Sequence, residues 1–101
     1  KPTIAEGTAI AHPIRTPECL RALRESGSGA VLLEEPEIAA SSLALARLGL
    51  YVEPTCAQAA AAFARLRAEG RIAERETTVV VLTGTGLKST PRYAELLGVA
   101  L

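Results

Sequence analysis

Residues 77–88 read TTVVVLTGTGLK, an apolar segment that runs directly into a Gly-x-Gly sequence. Its apolar part, residues 79–82, is a short β-branched run of the kind found in strands that are buried on both faces. A Gly-x-Gly turn at residues 83–86 then ends the predicted strand. In an open α/β sheet, ligands bind beyond the carboxyl ends of the strands, so this turn stands where a ligand is expected. A tight turn without a ligand explains the same residues, and local chemistry leaves both interpretations open.

The composition limits the chain to one globular domain. It has 101 residues, of which 49% are hydrophobic and 22% are charged. Much of the apolar content is alanine and only 3% of the residues are aromatic, so each apolar residue buries little area. We therefore interpret the chain as part of a larger packed body. It begins at Lys1 and contains no methionine, which we expect of a fragment or a processed piece.

Charge and hydropathy argue against several kinds of partner. Lys plus Arg and Asp plus Glu both total 11, and no basic stripe with interleaved aromatic residues occurs, so nucleic-acid binding is not expected. No apolar run approaches the roughly 20 residues that a membrane span needs, and no signal peptide is visible. We expect no membrane partner and a cytoplasmic location. Cys19 and Cys56 form no CxxC pair, and with His12 as the single histidine we expect no metal site.

Capping residues and apolar periodicity predict four helices separated by short extended segments. In chain order, the helices are expected to start at Thr16, at residues 34–37, at Pro54 and after Thr90. The first three are expected to be closed by glycine, at residues 27–29, at Gly49 and at Gly70. Strands are expected at residues 30–33 and 79–82, and residues 50–52 are expected to be extended. Cys19, on the first helix, is expected to be a small core residue.

Some polar residues allow both a structural and a ligand-binding interpretation. Residues 34–37 contain three glutamates, which suit either a metal site or a helix start, and the helix start explains the charge because acids are favoured there. Glu53 precedes the third helix and either hydrogen-bonds backbone at a strand end or contacts a ligand. Thr55 and Gln58 have the spacing of a capping box.

Three segments together resemble the threonine synthases, which are fold-type-II (tryptophan synthase β-like) pyridoxal-phosphate enzymes. Residues 82–88, LTGTGLK, look like the TGxGLK signature of this family. Residues 3–7 followed by residues 11–13 look like its TIAxG…P segment, and residues 49–57 look like its G-x-x-x-EPxSA segment. The order and spacing fit the last third of such an enzyme. The resemblance implies an α/β fold, here a partial three-layer fragment with a few short strands and flanking helices.

The resemblance also implies roles for three residues toward pyridoxal phosphate. Thr83 is expected to meet the pyridine nitrogen, because a hydroxyl stays un-ionised near neutrality and can donate to an unprotonated nitrogen. Gly84 is expected to let the backbone pass close to the cofactor ring. Glu6 lies on a segment that passes along the edge of the cofactor, although its residue type leaves open whether it faces a ligand or water. No role is carried onto Thr85.

Two parts of a complete enzyme are not expected within this chain. A pyridoxal-phosphate enzyme needs a Schiff-base lysine and a phosphate cradle, and in this family both lie upstream of the matching segment. The two lysines here are Lys1 and Lys88, and neither is expected to hold the cofactor. We expect residues 1–101 to be the incomplete C-terminal part of the enzyme domain, with no catalytic residue of its own and inactive alone. Its expected partners are the remainder of the enzyme chain, a small amino-acid substrate and further copies in a homo-oligomer.

The function implied is that of a lyase in amino-acid biosynthesis, resembling threonine synthase, which converts O-phosphohomoserine to threonine. Three positions depart from the family pattern: Ser89 stands where an acid is usual, Cys56 replaces a serine, and Glu6 with Gly7 is closer to dehydratase-like relatives. A related pyridoxal-phosphate dehydratase, ammonia-lyase or β-replacement enzyme is therefore the alternative enzyme interpretation. A free-standing small α/β binding domain is the alternative outside enzymes.

Overall fold

The computed structural model describes residues 2–100, which are mostly helical. The α-helices are α1 (Thr16–Ser26), α2 (Glu35–Arg47), α3 (Pro54–Ala68) and α4 (Thr90–Leu97). One-turn 3-10 helices lie at Glu6–Thr8 and Gly86–Ser89. All four predicted helices are therefore confirmed. Nothing in residues 2–100 forms a helix long and apolar enough to cross a membrane.

Helix ends follow the local chemistry of their residues. Gly49 and Gly70 follow α2 and α3 with φ values of 81° and 70°, the left-handed conformation that glycine adopts without a steric penalty. The glutamates before α2 form a capping box, in which the Glu34 backbone N–H donates to the Glu37 carboxylate at 2.7 Å. The helix-start interpretation of this acidic cluster is confirmed. Residues 2–100 hold no group of three or more His, Cys, Asp or Glu side chains placed to bind a metal ion.

The capping box predicted at the start of α3 is wrong. The helix begins at Pro54 with Glu53 as its N-cap, and no side chain caps it. The Thr55 hydroxyl instead accepts a hydrogen bond from the Gly7 backbone N–H at 3.1 Å. The Gln58 amide donates to the Thr8 hydroxyl at 2.9 Å. These side chains hold the N-terminal 3-10 turn against α3, so tertiary hydrogen bonds replace the local ones that their spacing predicts.

Helices α2 and α3 pack against each other and form the centre of the molecule. The buried cluster contains Leu45 from α2 and Cys56 and Ala57 from α3, together with Val52 from the segment between these helices. An ion pair also joins the helices, because the Arg65 guanidinium donates to the Glu37 carboxylate. Small side chains on α3 allow the two helices to lie close together.

The predicted strands are the main error in the sequence-based fold. Within residues 2–100, β pairing is limited to one isolated antiparallel bridge between Val52 and Thr85. Residues 30–33 and 79–82 form no ladder, and Val79 and Val81 are 82% and 66% exposed rather than buried on both faces. An extended run becomes a strand only when another backbone supplies hydrogen bonds, and none does so here. The predicted three-layer α/β arrangement therefore agrees only loosely with residues 2–100, which have the helices but no sheet.

Helix α1 contributes no buried residue, although its sequence is amphipathic. Cys19 on this helix is exposed, so its expected place in the core is wrong. Leu20 is also exposed, at 45% of its surface. The sequence predicts correctly that α1 forms, but its apolar stripe finds no covering surface among the described residues.

Candidate functional site

Residues 83–86, the predicted Gly-x-Gly turn, run through the bridge at Thr85 into the 3-10 helix at Gly86–Ser89 and are fixed against the segment that leads into α3. The Glu53 backbone N–H donates to the Gly84 carbonyl at 3.1 Å. The Gly86 backbone N–H donates to the Tyr51 carbonyl at 2.9 Å, on the other side of the bridge between Val52 and Thr85. These two hydrogen bonds set the position of the turn relative to the first residues of α3.

Both glycines of the turn are required by close neighbours. A Cβ atom at Gly84 would lie 2.1 Å from Oε1 of Glu53, and one at Gly86 would lie 2.7 Å from the ring of Tyr51. Real Cβ atoms do not approach other heavy atoms this closely, so a side chain at either position must displace its neighbour. A carboxylate occupies the space beside Gly84, and the close approach of its backbone to a cofactor ring stays a prediction.

The buried thiol of Cys56 joins the turn to α3. Its sulfur lies 3.1 Å from Oγ1 of Thr83 and accepts the backbone N–H of Gly84 at 2.8 Å. The thiol can also donate to Oε1 of Glu53, which is 3.6 Å away. Thr83 is an exposed residue, and its hydroxyl lies against the Cys56 sulfur. In the sequence, Cys56 stands out only as a departure from the family pattern, and no local signal predicts this contact.

Lys88 and Glu53 form an ion pair beside the turn. The Lys88 Nζ lies 3.0 Å from Oε2 of Glu53, and the side chains are 66% and 17% exposed. The more buried partner is the carboxylate, which also lies against Gly84. The strand-end hydrogen bond expected of Glu53 is made by its backbone N–H, whereas its carboxylate pairs with Lys88.

Two tyrosines support the turn from the side of α4. The Tyr93 hydroxyl is buried and donates to the Val52 carbonyl at 2.7 Å. The Tyr51 and Tyr93 rings meet edge to face with centroids 4.9 Å apart, and the Tyr51 hydroxyl lies 3.0 Å from Oγ1 of Thr90. Burial raises the pKa of Tyr93 above its ordinary value. No motif in the sequence pointed to this pair; tyrosine is merely rare here, and both tyrosines lie beside the site.

The structure gives Glu6 a different partner from the other two predicted site residues. Thr83 and Gly84 both contact Cys56, whereas the Glu6 carboxylate pairs with Arg92 of α4 at 2.6 Å. Glu6 also lies on the 3-10 turn whose next residue, Gly7, donates to Thr55. Two of the three predicted site residues are thus neighbours and the third lies on an adjoining segment, and their roles toward a cofactor stay predictions.

The resulting site presents the neutral hydroxyl of Thr83 beside the ion pair between Lys88 and Glu53. Such a surface can donate a hydrogen bond to, or accept one from, a neutral polar group. The nearest carboxylate belongs to Glu53 and is already paired with Lys88. His12 is exposed on the N-terminal segment, and Lys1 lies outside the described residues. The arrangement is suited to holding a ligand atom rather than to moving protons between strong acids and bases.

Comparisons with known proteins agree with these motifs. The profile of the family described as "Pyridoxal-phosphate dependent enzyme" matches residues 1–84. Threonine synthase of Methanocaldococcus jannaschii is 38% identical over 87 residues, which is 85% of this chain and 22% of that protein. Threonine synthase of Methanosarcina acetivorans is 39% identical over 87 residues, again 85% of this chain and 22% of the relative.

The chain therefore spans about a fifth of the length of these two curated relatives, 22% of each. No solved structure matches significantly. The family match covers most of the chain, including Thr83 and Gly84. The resemblance to threonine synthases and the expected cofactor, pyridoxal phosphate, are confirmed, and the chain belongs to the pyridoxal-phosphate-dependent enzyme family.

Proposed function

We propose that residues 1–101 form the C-terminal part of a pyridoxal-phosphate lyase that resembles threonine synthase and converts O-phosphohomoserine to threonine. Two threonine synthases that are 38% and 39% identical to this chain support the proposal. The remainder of the enzyme supplies the lysine that binds the cofactor and the loop that binds its phosphate. This segment supplies a contact to the pyridine nitrogen.

The observation that carries the proposal is the hydroxyl of the exposed residue Thr83, which lies on a segment held by three contacts. Gly84 and Gly86 are hydrogen-bonded to the segment before α3, and Cys56 lies beneath the hydroxyl. Pyridoxal phosphate, when bound, supplies an electron sink for bond changes at the amino-acid substrate. The Thr83 hydroxyl would hold the ring nitrogen by a neutral hydrogen bond and would not protonate it, which suits elimination and replacement reactions.

The residues around Thr83 fit this use. A free carboxylate beside the nitrogen would favour its protonated form, and the carboxylate nearest to Gly84 is neutralised by Lys88 at 3.0 Å. Gly84 is proposed to let the backbone pass close to the ring, and the Glu53 carboxylate takes the space where a Cβ atom of Gly84 would stand. Glu6 is proposed as a residue at the edge of the cofactor, because its turn is attached to Thr55, the neighbour of Cys56. The group offered to the ring nitrogen is thus the neutral Thr83 hydroxyl, and the nearby Glu53 carboxylate is already paired with Lys88.

Lys88 is proposed to be structural, since its ammonium group already pairs with Glu53. We expect no stoichiometric attachment of pyridoxal phosphate at Lys88 when the 101-residue chain is treated with the cofactor and borohydride. Peptide mapping by mass spectrometry makes the measurement. Stoichiometric labelling at Lys88 would contradict both its structural role and the proposed need for an upstream lysine.

The role of Thr83 is tested in the complete enzyme, meaning this segment together with its proposed upstream part. Thr83→Ala leaves the nitrogen without its partner, a loss of roughly 1–3 kcal/mol for a buried group. If the hydrogen bond strengthens during the reaction, turnover falls about tenfold for each 1.4 kcal/mol. Thr83→Ser should keep most of the turnover, and Thr83→Asp should alter the absorption spectrum of the reacting enzyme.

Thr85→Ala is the matched control, because Thr85 is also exposed in the turn but its hydroxyl accepts the Leu87 backbone N–H. It should change turnover less than Thr83→Ala does. Unchanged cofactor affinity, spectrum and turnover in Thr83→Ala would show that residues 83–86 are only a tight turn. Release of phosphate and threonine from O-phosphohomoserine would separate the proposed enzyme from a dehydratase, which releases ammonia and a 2-oxo acid.

The partners of the chain follow from the same proposal. A segment with exposed Val79 and Val81 should self-associate or bind the missing portion of the enzyme, and the complete enzyme is expected to be a cytoplasmic homo-oligomer. Sedimentation of the purified chain, alone and with the upstream portion, makes the test. A compact monomer at high concentration that does not bind the upstream portion would favour a free-standing binding domain.

A further inference from the structure

The thiol of Cys56 has a single proton and two competing acceptors. Oγ1 of Thr83 lies 3.1 Å from the sulfur, and Oε1 of Glu53 lies 3.6 Å from it. The sulfur also accepts the backbone N–H of Gly84 at 2.8 Å. Where the thiol proton goes decides how the Thr83 hydroxyl is oriented, because a hydroxyl that accepts from sulfur is free to point its own proton elsewhere.

We propose that Cys56 is a positioning residue for Thr83: its thiol donates to Thr83 Oγ1, which turns the hydroxyl proton outward toward an unprotonated ring nitrogen. This inference rests on the proposed function, since the nitrogen is that of the cofactor. In the opposite arrangement, Thr83 donates to sulfur and presents only lone pairs to a ligand. Such a hydroxyl could not hold an unprotonated nitrogen.

Three observations favour donation from sulfur to Thr83. The sulfur lies closer to Thr83 than to Glu53, at 3.1 Å against 3.6 Å. The acceptor side of the sulfur is already used by Gly84, and sulfur is a weak acceptor, so a second donor gains little there. Glu53 competes weakly for the thiol proton because its other oxygen pairs with Lys88 at 3.0 Å.

Lys88 therefore influences where the Cys56 thiol proton points, although its ammonium group pairs with Glu53 and not with Thr83. By pairing with Glu53 it reduces the attraction of that carboxylate for the thiol proton. If Lys88 is neutralised, the carboxylate becomes the stronger acceptor and the thiol turns away from Thr83. The alternative is that Cys56 is only a core residue, since it also packs with Leu45, Val52 and Ala57.

The proton arrangement can be observed in the cofactor-free 101-residue chain by infrared spectroscopy of the S–H stretching band. Cys19→Ser removes the exposed thiol, so the remaining band belongs to Cys56. Lys88→Met should move this band to lower frequency, because the thiol then donates to an unpaired carboxylate. Thr83→Val should move it in the same direction, and Thr85→Val should leave it in place. Circular dichroism verifies that each variant keeps its helices.

An unchanged S–H band in Thr83→Val would overturn the proposal, because the thiol would then not be donating to Thr83 in the parent chain, whatever Lys88→Met does. The complete enzyme provides the second test. Cys56→Ala should lower turnover about three- to tenfold, in line with the loss of one hydrogen bond, and Cys56→Ser should restore most of it. In a Thr83→Ala background, Cys56→Ala should have no further effect.

Additive losses from Cys56→Ala and Thr83→Ala would overturn the positioning role and indicate packing alone. The two proposals fail in different ways. If Thr83→Ala has no effect on the complete enzyme, the nitrogen contact is wrong, whatever the infrared band shows. If Thr83→Ala lowers turnover but Cys56→Ala does so independently, only the positioning role of Cys56 is wrong.

Discussion

Val52 and Val79 lie in similar short apolar stretches and have opposite surroundings. Val52 is 8% exposed, packs with Leu45 and Cys56, and pairs with Thr85. Val79 is 82% exposed and belongs to no ladder. The residue type is the same, so the difference comes from what the rest of the described chain places beside each stretch. An apolar sequence pattern shows which residues favour burial, but whether they are buried depends on what the rest of the fold packs against them.

The largest effect on stability is expected at Gly86, where a glycine lies against an aromatic ring that is itself packed. A Cβ atom at Gly86 would lie 2.7 Å from the Tyr51 ring, which is itself held against Tyr93. Gly86→Ala should lower the free energy of unfolding by about 1–3 kcal/mol, as overpacked sites do. Thermal unfolding measures it, at roughly 4–8 °C for each kcal/mol in a chain of this size.

Gly29→Ala is the control for Gly86→Ala, because nothing lies within 4 Å of its Cβ position. It should leave the melting temperature unchanged or raise it, since alanine reduces the freedom of the unfolded chain. Equal losses from Gly86→Ala and Gly29→Ala would mean that the turn is not packed against Tyr51, and the contrast between the two valines would lose its basis.

The next effect concerns the hydroxyl beneath Val52. Tyr93→Phe leaves the Val52 carbonyl without its 2.7 Å donor and should cost about 1–2 kcal/mol of stability. Tyr51→Phe should cost less, because the Tyr51 hydroxyl and its partner Thr90 form an exposed hydrogen bond. Chemical denaturation of both variants gives the comparison. A larger loss of stability for Tyr51→Phe than for Tyr93→Phe would contradict the buried hydrogen bond between Tyr93 and Val52.

The raised pKa of Tyr93 adds a dependence on pH. The unfolded tyrosine ionises near its ordinary pKa of about 10, while the folded one stays protonated to higher pH. Its contribution to stability is therefore complete below about pH 10 and is lost as pH rises through the folded pKa. The alkaline loss of stability should be shallower in Tyr93→Phe than in the parent chain.

A smaller effect is expected at the ion pair between α2 and α3. The Glu34 backbone N–H and then Arg65 hold the pKa of Glu37 below its ordinary value of 4.5. Stability from this group is present above that value and is lost as pH falls through the lowered pKa. Glu37→Gln should flatten the acid limb of a stability profile, whereas the exposed Glu25→Gln on α1 should preserve it. The same slope in both variants would argue against the pairing.

The smallest change in stability is expected at the exposed Val79. Val79→Lys should alter the free energy of unfolding by no more than about 0.5 kcal/mol, as exposed substitutions do. The same substitution should weaken self-association, because lysine protects an unpaired edge. Sedimentation velocity measures the second effect. A large loss of stability would mean that Val79 is covered in solution and that the two valines are alike.

The sequence predicted those features that depend on neighbouring residues. Helix starts with proline and acids, as at residues 34–37, and glycine ends, as at Gly70, are set by local hydrogen bonds and backbone freedom. Local chemistry is sufficient for such features because their partners lie a few positions away.

Features that depend on distant partners were missed. Thr55 and Gln58 have the spacing of a cap, yet Gly7 and Thr8, about 50 positions earlier, take their hydrogen bonds. The same holds for Cys56, whose contacts with Thr83 and Gly84 require the chain to return to the start of α3. A single sequence shows the donors and acceptors that are available, but it does not show which of them meet.

The ion pair between Arg92 and Glu6 has a consequence for the order of folding. It joins residues 86 positions apart, so nearly the whole chain must be in place before the two side chains can meet. Closing so long a loop is entropically unfavourable, whereas the turns within α2 and α3 close over four residues. The N-terminal segment should therefore dock last and detach first. Its Gly7 amide should exchange with deuterium through local opening, while the helix amides exchange only when larger units unfold.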